Sequence, residues 1–69
     1  MATWWTRVRC RAGLYDKVKF LVEEFGGKIT AHAYTINGVL TVEPDFPNRE
    51  QCRLFELAVE LEIETLEVS

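Results

Sequence analysis

Several patterns that carry catalysis or metal binding are missing from this sequence of 69 residues. Its only serine is the terminal Ser69, so the chain cannot form a serine–histidine–aspartate triad from its own residues. Cys10 and Cys52 belong to no Cys-X-X-Cys motif or cysteine–histidine cluster, so neither a zinc site nor a disulfide framework is indicated. We expect two buried free thiols, no metal, no cofactor and no catalytic residue.

Long apolar runs are also missing. No stretch approaches the roughly 18 apolar residues that a membrane span needs, and the sequence shows no signal peptide. These absences predict a cytoplasmic protein with no membrane partner. Residues 1–69 are expected to form one domain, and a domain of this size buries only about 60% of its unfolded surface. Because such small domains are marginal alone, association with a second copy is favoured.

Charge of one sign does not dominate, since the net charge is only −3. The distribution is nevertheless uneven. Residues 1–42 hold six basic and three acidic residues, a net +3, whereas residues 43–69 hold two basic and eight acidic residues, a net −6. Both halves carry apolar periodicity, which predicts one domain in which opposite charges pair across strands and helices.

What the sequence does contain is a nearly symmetric order of elements. Asn37-Gly38 lies between the β-branched runs 29–36 and 39–43, which predicts a hairpin with a two-residue turn. An amphipathic helix is predicted before this hairpin, over residues 14–25, and another after it, ending near Glu62.

Short strands are predicted outside the two helices, at residues 3–11 and 64–69, and Asn48 with Gln51 fits a capping box for the second helix. The order strand–helix–strand–strand–helix–strand is that of the ferredoxin-like sandwich. The predicted fold is therefore α+β: a four-stranded antiparallel sheet in the order 4-1-3-2, with two helices on one face.

Alternation assigns each strand residue to a face of this sheet. Along residues 3–11, Trp5 and the arginines point to one face, whereas Trp4 and Cys10 point to the other. A two-residue turn pairs Ile36 with Val39 and places Ala31, Ala33 and Thr35 inward. The uncovered face would then present an interface made of Trp5, Arg7, Arg9, His32, Tyr34, Ile36 and Val39.

Three hypotheses compete for this face. Trp, Tyr and Arg are enriched in interface hot spots, which favours a non-catalytic protein-interaction module whose partner is a second copy, with another protein as a further candidate. Single-stranded nucleic acid could stack on the sheet aromatics, although the net negative charge opposes phosphate binding. Alternatively, the arginines are neutralised by Glu43 and Glu67 and nothing is bound. His32 beside Glu43 is expected to be an ordinary surface pair, not a general base.

Residues 11–29 also resemble the first half of an ACT-like regulatory domain. The resemblance is carried by Arg11-Ala12-Gly13-Leu14, by Val18, Leu21 and Glu24, and by Gly26-Gly27-Lys28-Ile29. In that family a Gly-Leu pair follows the first strand, and a glycine and an isoleucine open the second. The resemblance implies a ferredoxin-like fold, dimerisation, and an amino-acid or similar small ligand near Gly13 and Leu14.

Overall fold

In the computed structural model the chain forms an antiparallel sheet and two helices, so the α+β class expected from the sequence is confirmed. The structure describes residues 3–63 with their side chains and the backbone of residues 65–68. A single turn of 3₁₀ helix, Ala12–Leu14, follows the second strand. The other elements are β1 (Trp4–Trp5), β2 (Val8–Arg11), α1 (Tyr15–Glu24), β3 (Lys28–Tyr34), β4 (Val39–Phe46), α2 (Arg49–Glu62) and β5 (Thr65–Val68).

Strand β4 pairs with β3 on one side and with both β1 and β2 on the other, and β2 also pairs with β5. The short strands β1 and β2 share one register against β4, because Trp4 lies opposite Phe46 and Arg11 opposite Val39. Between them, the Thr6 amide donates a hydrogen bond of 3.3 Å to the Pro44 carbonyl. The strand predicted over residues 3–11 is thus interrupted at residues 6 and 7 without losing its alternation.

The hydrophobic core lies between the even-numbered side chains of β4 and the two helices. In β4 these even-numbered residues are all buried, as alternation requires of a strand with one covered face. The Phe46 ring packs against Phe55 of α2, with 4.9 Å between centroids. The core contains Val8, Cys10, Val18, Leu21, Val22, Leu40, Val42, Phe46, Cys52, Phe55, Val59 and Ile63.

Two glycines end α1, as the sequence predicts. Gly26 has a φ of +77°, and its amide donates to the Glu23 carbonyl at 3.1 Å. The Gly27 amide donates to the Val22 carbonyl at 2.9 Å. These two bonds form a Schellman motif, which satisfies carbonyls that the last helical turn leaves without partners.

Helix α2 begins as predicted, because the Asn48 side chain accepts a hydrogen bond of 2.9 Å from the Gln51 amide. It also ends where expected, at Glu62. Leu54 and Leu61 of this helix are apolar but do not join the core. Both are exposed, since the core side of α2 is filled by Cys52, Phe55 and Val59.

The hairpin differs from its prediction by one residue. Its loop has three residues, 36–38, because the Thr35 amide bonds to the Val39 carbonyl at 2.9 Å. The Thr35 hydroxyl accepts hydrogen bonds from the amides of Asn37 and Val39, at 3.2 and 3.1 Å. Gly38, with φ +78°, completes the longer loop. The side chain of Thr35 therefore stabilises the three-residue loop, which the Asn-Gly signal alone did not predict.

From Ala31 to Tyr34, this shift of one residue turns the side chains of β3 to the other face. A β-bulge between Ile29 and Ala31 ends the shifted segment, and Ile29 lies on the core side, opposite Pro44. Tyr34 lies opposite Leu40 and His32 opposite Val42, both partners being core residues. The His32 ring accordingly meets Tyr15 of α1, with centroids 5.0 Å apart, and Tyr34 lies 5.9 Å from His32. The expectation that His32 and Tyr34 share a face with Trp5 was wrong.

Candidate interaction surface

Ten odd-numbered side chains point away from the core and define what we call the outer sheet face. The strand pairings support this assignment, because residues directly opposite each other share a face: Trp5 lies opposite Asp45, and Ala33 lies opposite Thr41. The outer sheet face consists of Trp5, Arg7, Arg9, Arg11, Ala31, Ala33, Val39, Thr41, Glu43 and Asp45.

Trp5 is the one large aromatic side chain of this face, and 57% of it is exposed. The Arg7 guanidinium lies over its ring, 5.8 Å from the centroid. Arg7 Nε and Nη2 are both 2.9 Å from Glu43 Oε2. Because the side chains of this ion pair are 44% and 34% exposed, water screens it, and it contributes well under about 1 kcal/mol. Its effect is to hold Arg7 against the indole and so to restrict the orientation of Trp5.

A shallow recess of about 150 Å³ lies on the same face, beside the ion pair. It exists because Ala31 and Ala33 have small side chains in the middle of β3, next to Thr41 and Glu43 of β4. Both alanines were expected to point inward, and this was wrong, because they lie opposite Glu43 and Thr41. The hydroxyl of Thr35 was the signal that could have placed them correctly.

The structure brings together four of the seven predicted interface residues, Trp5, Arg7, Arg9 and Val39. Ile36 is fully exposed, but at the tip of the hairpin loop. His32 and Tyr34 lie on the other side of the sheet, as described above. His32 is therefore not the cross-strand neighbour of Glu43, a position that Ala31 takes.

The residues named by the ACT resemblance lie in the 3₁₀ turn. Gly13 is exposed, and a methyl group added there would meet no atom within 4 Å. Leu14 is half-buried and packs against the core. A larger groove of about 370 Å³ lies between α1 and β3, where Tyr15, Lys19 and Lys28 are among the lining residues.

The two cysteine thiols are poorly placed for chemistry. Burial raises the pKa of the Cys10 thiol, which Arg11 only partly offsets, and burial together with Glu56 raises the pKa of Cys52. Both thiols are free and buried, so they are poor nucleophiles. Within residues 3–63, no three His, Cys, Asp or Glu side chains are grouped so that they could hold a metal ion.

One contact was not anticipated from the sequence. Thr6, buried at the interruption between β1 and β2, donates a hydrogen bond of 2.7 Å from its hydroxyl to Glu56 Oε2. Glu56 thereby links α2 to the sheet.

Comparisons with family models, with curated protein sequences and with solved structures found no match to this chain. Neither α1 nor α2 is long and apolar enough to cross a membrane.

Proposed function

We propose that this protein is a ferredoxin-like, non-catalytic protein-interaction module that associates with a second copy through its outer sheet face. The strand pairings around β4, and a core shared by both helices, support the ferredoxin-like arrangement. Self-association is favoured by the small size of the chain, because a second copy buries surface that 69 residues cannot bury alone.

The exposed Trp5 is the observation that carries this proposal. Burying a large apolar side chain is worth roughly 1.5–3 kcal/mol, and a twofold dimer counts the gain twice. Its ring is already oriented by Arg7, so little conformational freedom is lost on association. The arginines beside it supply the polar rim that surrounds the centre of a typical interface.

The recess formed by Ala31 and Ala33 offers Trp5 of the other copy a place to pack. Both features lie on one face of one sheet, so a twofold axis parallel to that face, between the two copies, can satisfy both copies at once. Single-stranded nucleic acid fits the same face less well. With Tyr34 on the other side, Trp5 is the only aromatic platform on the outer sheet face, whereas base stacking usually uses several.

The test is the solution mass of the protein, measured by sedimentation equilibrium across the micromolar range. Trp5→Asp should lower the mass of the assembly. Trp4→Asp is a matched control, because Trp4 is 48% exposed but belongs to the other face of the same strand. If both variants keep the wild-type mass, the outer sheet face is not a contact between copies. Salt-sensitive binding of an oligouridine probe that Trp5→Asp abolishes would indicate nucleic acid instead.

A further inference from the structure

Helix α2 carries three exposed leucines that neither the core nor the outer sheet face uses. Leu54, Leu57 and Leu61 are 41%, 54% and 86% exposed. Their spacing of three and then four residues puts them on one narrow line along the helix, which we call the leucine seam. The core residues of α2, Cys52, Phe55 and Val59, lie on the opposite side of the helix. The leucine seam therefore points away from the sheet.

We propose that the leucine seam is a second contact between copies, in which two α2 helices pair antiparallel about a twofold axis at Leu57. In this arrangement Leu57 meets Leu57 of the other copy. Leu54 lies opposite Leu61, because these two positions are nearly equidistant from Leu57 along the helix. Apolar residues that are three and then four positions apart form the seam of a coiled coil, so the leucine side chains of two such helices can interdigitate.

The charges beside the seam fix the orientation. Arg53 and Glu60 flank it on the same side, and neither has an ion-pair partner among residues 3–63. They are also nearly equidistant from Leu57. Antiparallel pairing therefore brings Arg53 of each copy to Glu60 of the other, whereas parallel twofold pairing puts these residues on opposite sides of the seam, where they cannot pair. The acidic residues around the seam, Glu50, Glu60 and Glu62, disfavour an anionic membrane as the occupant.

This inference goes beyond the proposed function, because it uses a different surface. The core and the sheet separate the leucine seam from the outer sheet face. Both contacts can therefore form in the same assembly. A protein that uses both forms particles larger than a dimer, and removing either contact leaves dimers.

The experiment isolates the seam in the Trp5→Asp protein and measures its dimerisation by sedimentation equilibrium. Arg53→Glu and Glu60→Arg, added singly, should each weaken the dimer about tenfold, since each converts two attractions into two repulsions. The two reversals together should restore it. Leu57→Asp should abolish the dimer, and Phe20→Asp, an exposed apolar position on α1, is the control that should not. All these positions are exposed, and thermal melts by circular dichroism check that each variant folds.

The proposal is overturned if the Trp5→Asp protein is monomeric, or if the double reversal dimerises as weakly as the singles. It is overturned as well if Leu57→Asp changes only binding to phosphatidylserine vesicles and not the mass. The same measurements give a different result if the proposed contact through the outer sheet face does not exist. In that case Trp5→Asp leaves the wild-type mass unchanged, while Leu57→Asp alone produces monomer.

Discussion

Gly27 gives the sharpest test of how β4 and the end of α1 fit together. A Cβ atom at this position would lie 2.5 and 2.6 Å from two atoms of the Phe46 ring and 2.7 Å from the Asp45 carbonyl oxygen. The ring cannot move aside easily, because Phe46 is buried and packs against the tilted ring of Phe55. The carbonyl cannot move either without disturbing the central strand of the sheet.

Gly27→Ala should therefore destabilise the protein. Overpacking of this kind costs about 1–3 kcal/mol, which exceeds the stabilisation of about 0.4–1 kcal/mol that alanine normally brings by restricting the unfolded chain. For a domain of this size, a net loss of about 1–2 kcal/mol lowers the melting temperature by roughly 4–16 °C.

Gly13 supplies the control for the same substitution. A Cβ there meets nothing within 4 Å, so Gly13→Ala should melt at or slightly above the wild-type temperature. The assay is thermal unfolding followed by far-ultraviolet circular dichroism, with both variants at one protein concentration because association also shifts melting. The reasoning is refuted if Gly27→Ala melts with the wild type, or if both variants fall together.

Two other predictions concern the contact between α2 and the sheet, and the thiols. Thr6→Val should cost about 1.5–3 kcal/mol in urea unfolding, because it leaves the Glu56 carboxylate without its buried hydroxyl donor, and adding Glu56→Leu should recover part of that loss. Burial raises the pKa of both thiols, so ionisation is harder in the folded state than in the unfolded state. The contribution of Cys10 and Cys52 to the free energy of unfolding is therefore fully present below the pKa of an unfolded thiol. It is lost as pH rises through the higher pKa values of the folded protein. Relative to a Cys10→Ala, Cys52→Ala protein, the wild type should lose stability only above about pH 8; an unchanged difference up to pH 11 would contradict this.

Local sequence signals predicted most of the secondary structure. Gly26-Gly27 ended α1 and Asn48 began α2, because a positive φ and a capping oxygen are requirements that few residue types meet. The faces predicted for the side chains of residues 3–11 were also correct. Although the strand is interrupted at Thr6, β1 and β2 keep the same alternation of period two.

The candidate site was harder to predict, because it depends on a register. Trp5, Arg7, Arg9 and Val39 were assigned correctly to one face, as they lie on strands whose apolar partners are unambiguous. Strand β3 gave no such guide, because alanine is small and neutral enough to lie on either face of a sheet. Ala31 and Ala33 therefore did not indicate which face they belong to. The three-residue loop that sets the register of β3 is stabilised by hydrogen bonds of the Thr35 hydroxyl, a local contact that periodicity does not report.

The uneven charge along the chain predicted pairing between its halves, and among residues 3–63 the Arg7–Glu43 ion pair is one such contact. Other charges are left over, since the outer sheet face keeps an excess of arginine while α2 keeps an excess of glutamate. Charge alone would therefore also allow the outer sheet face of one copy to bind α2 of the next, head to tail. The two arrangements predict different masses. A head-to-tail contact needs both surfaces, so Trp5→Asp or Leu57→Asp alone would yield monomers, whereas twofold contacts leave a dimer after either change. The pairing of Arg53 with Glu60 about Leu57 favours the twofold arrangement, and the two single variants measure which one the protein uses.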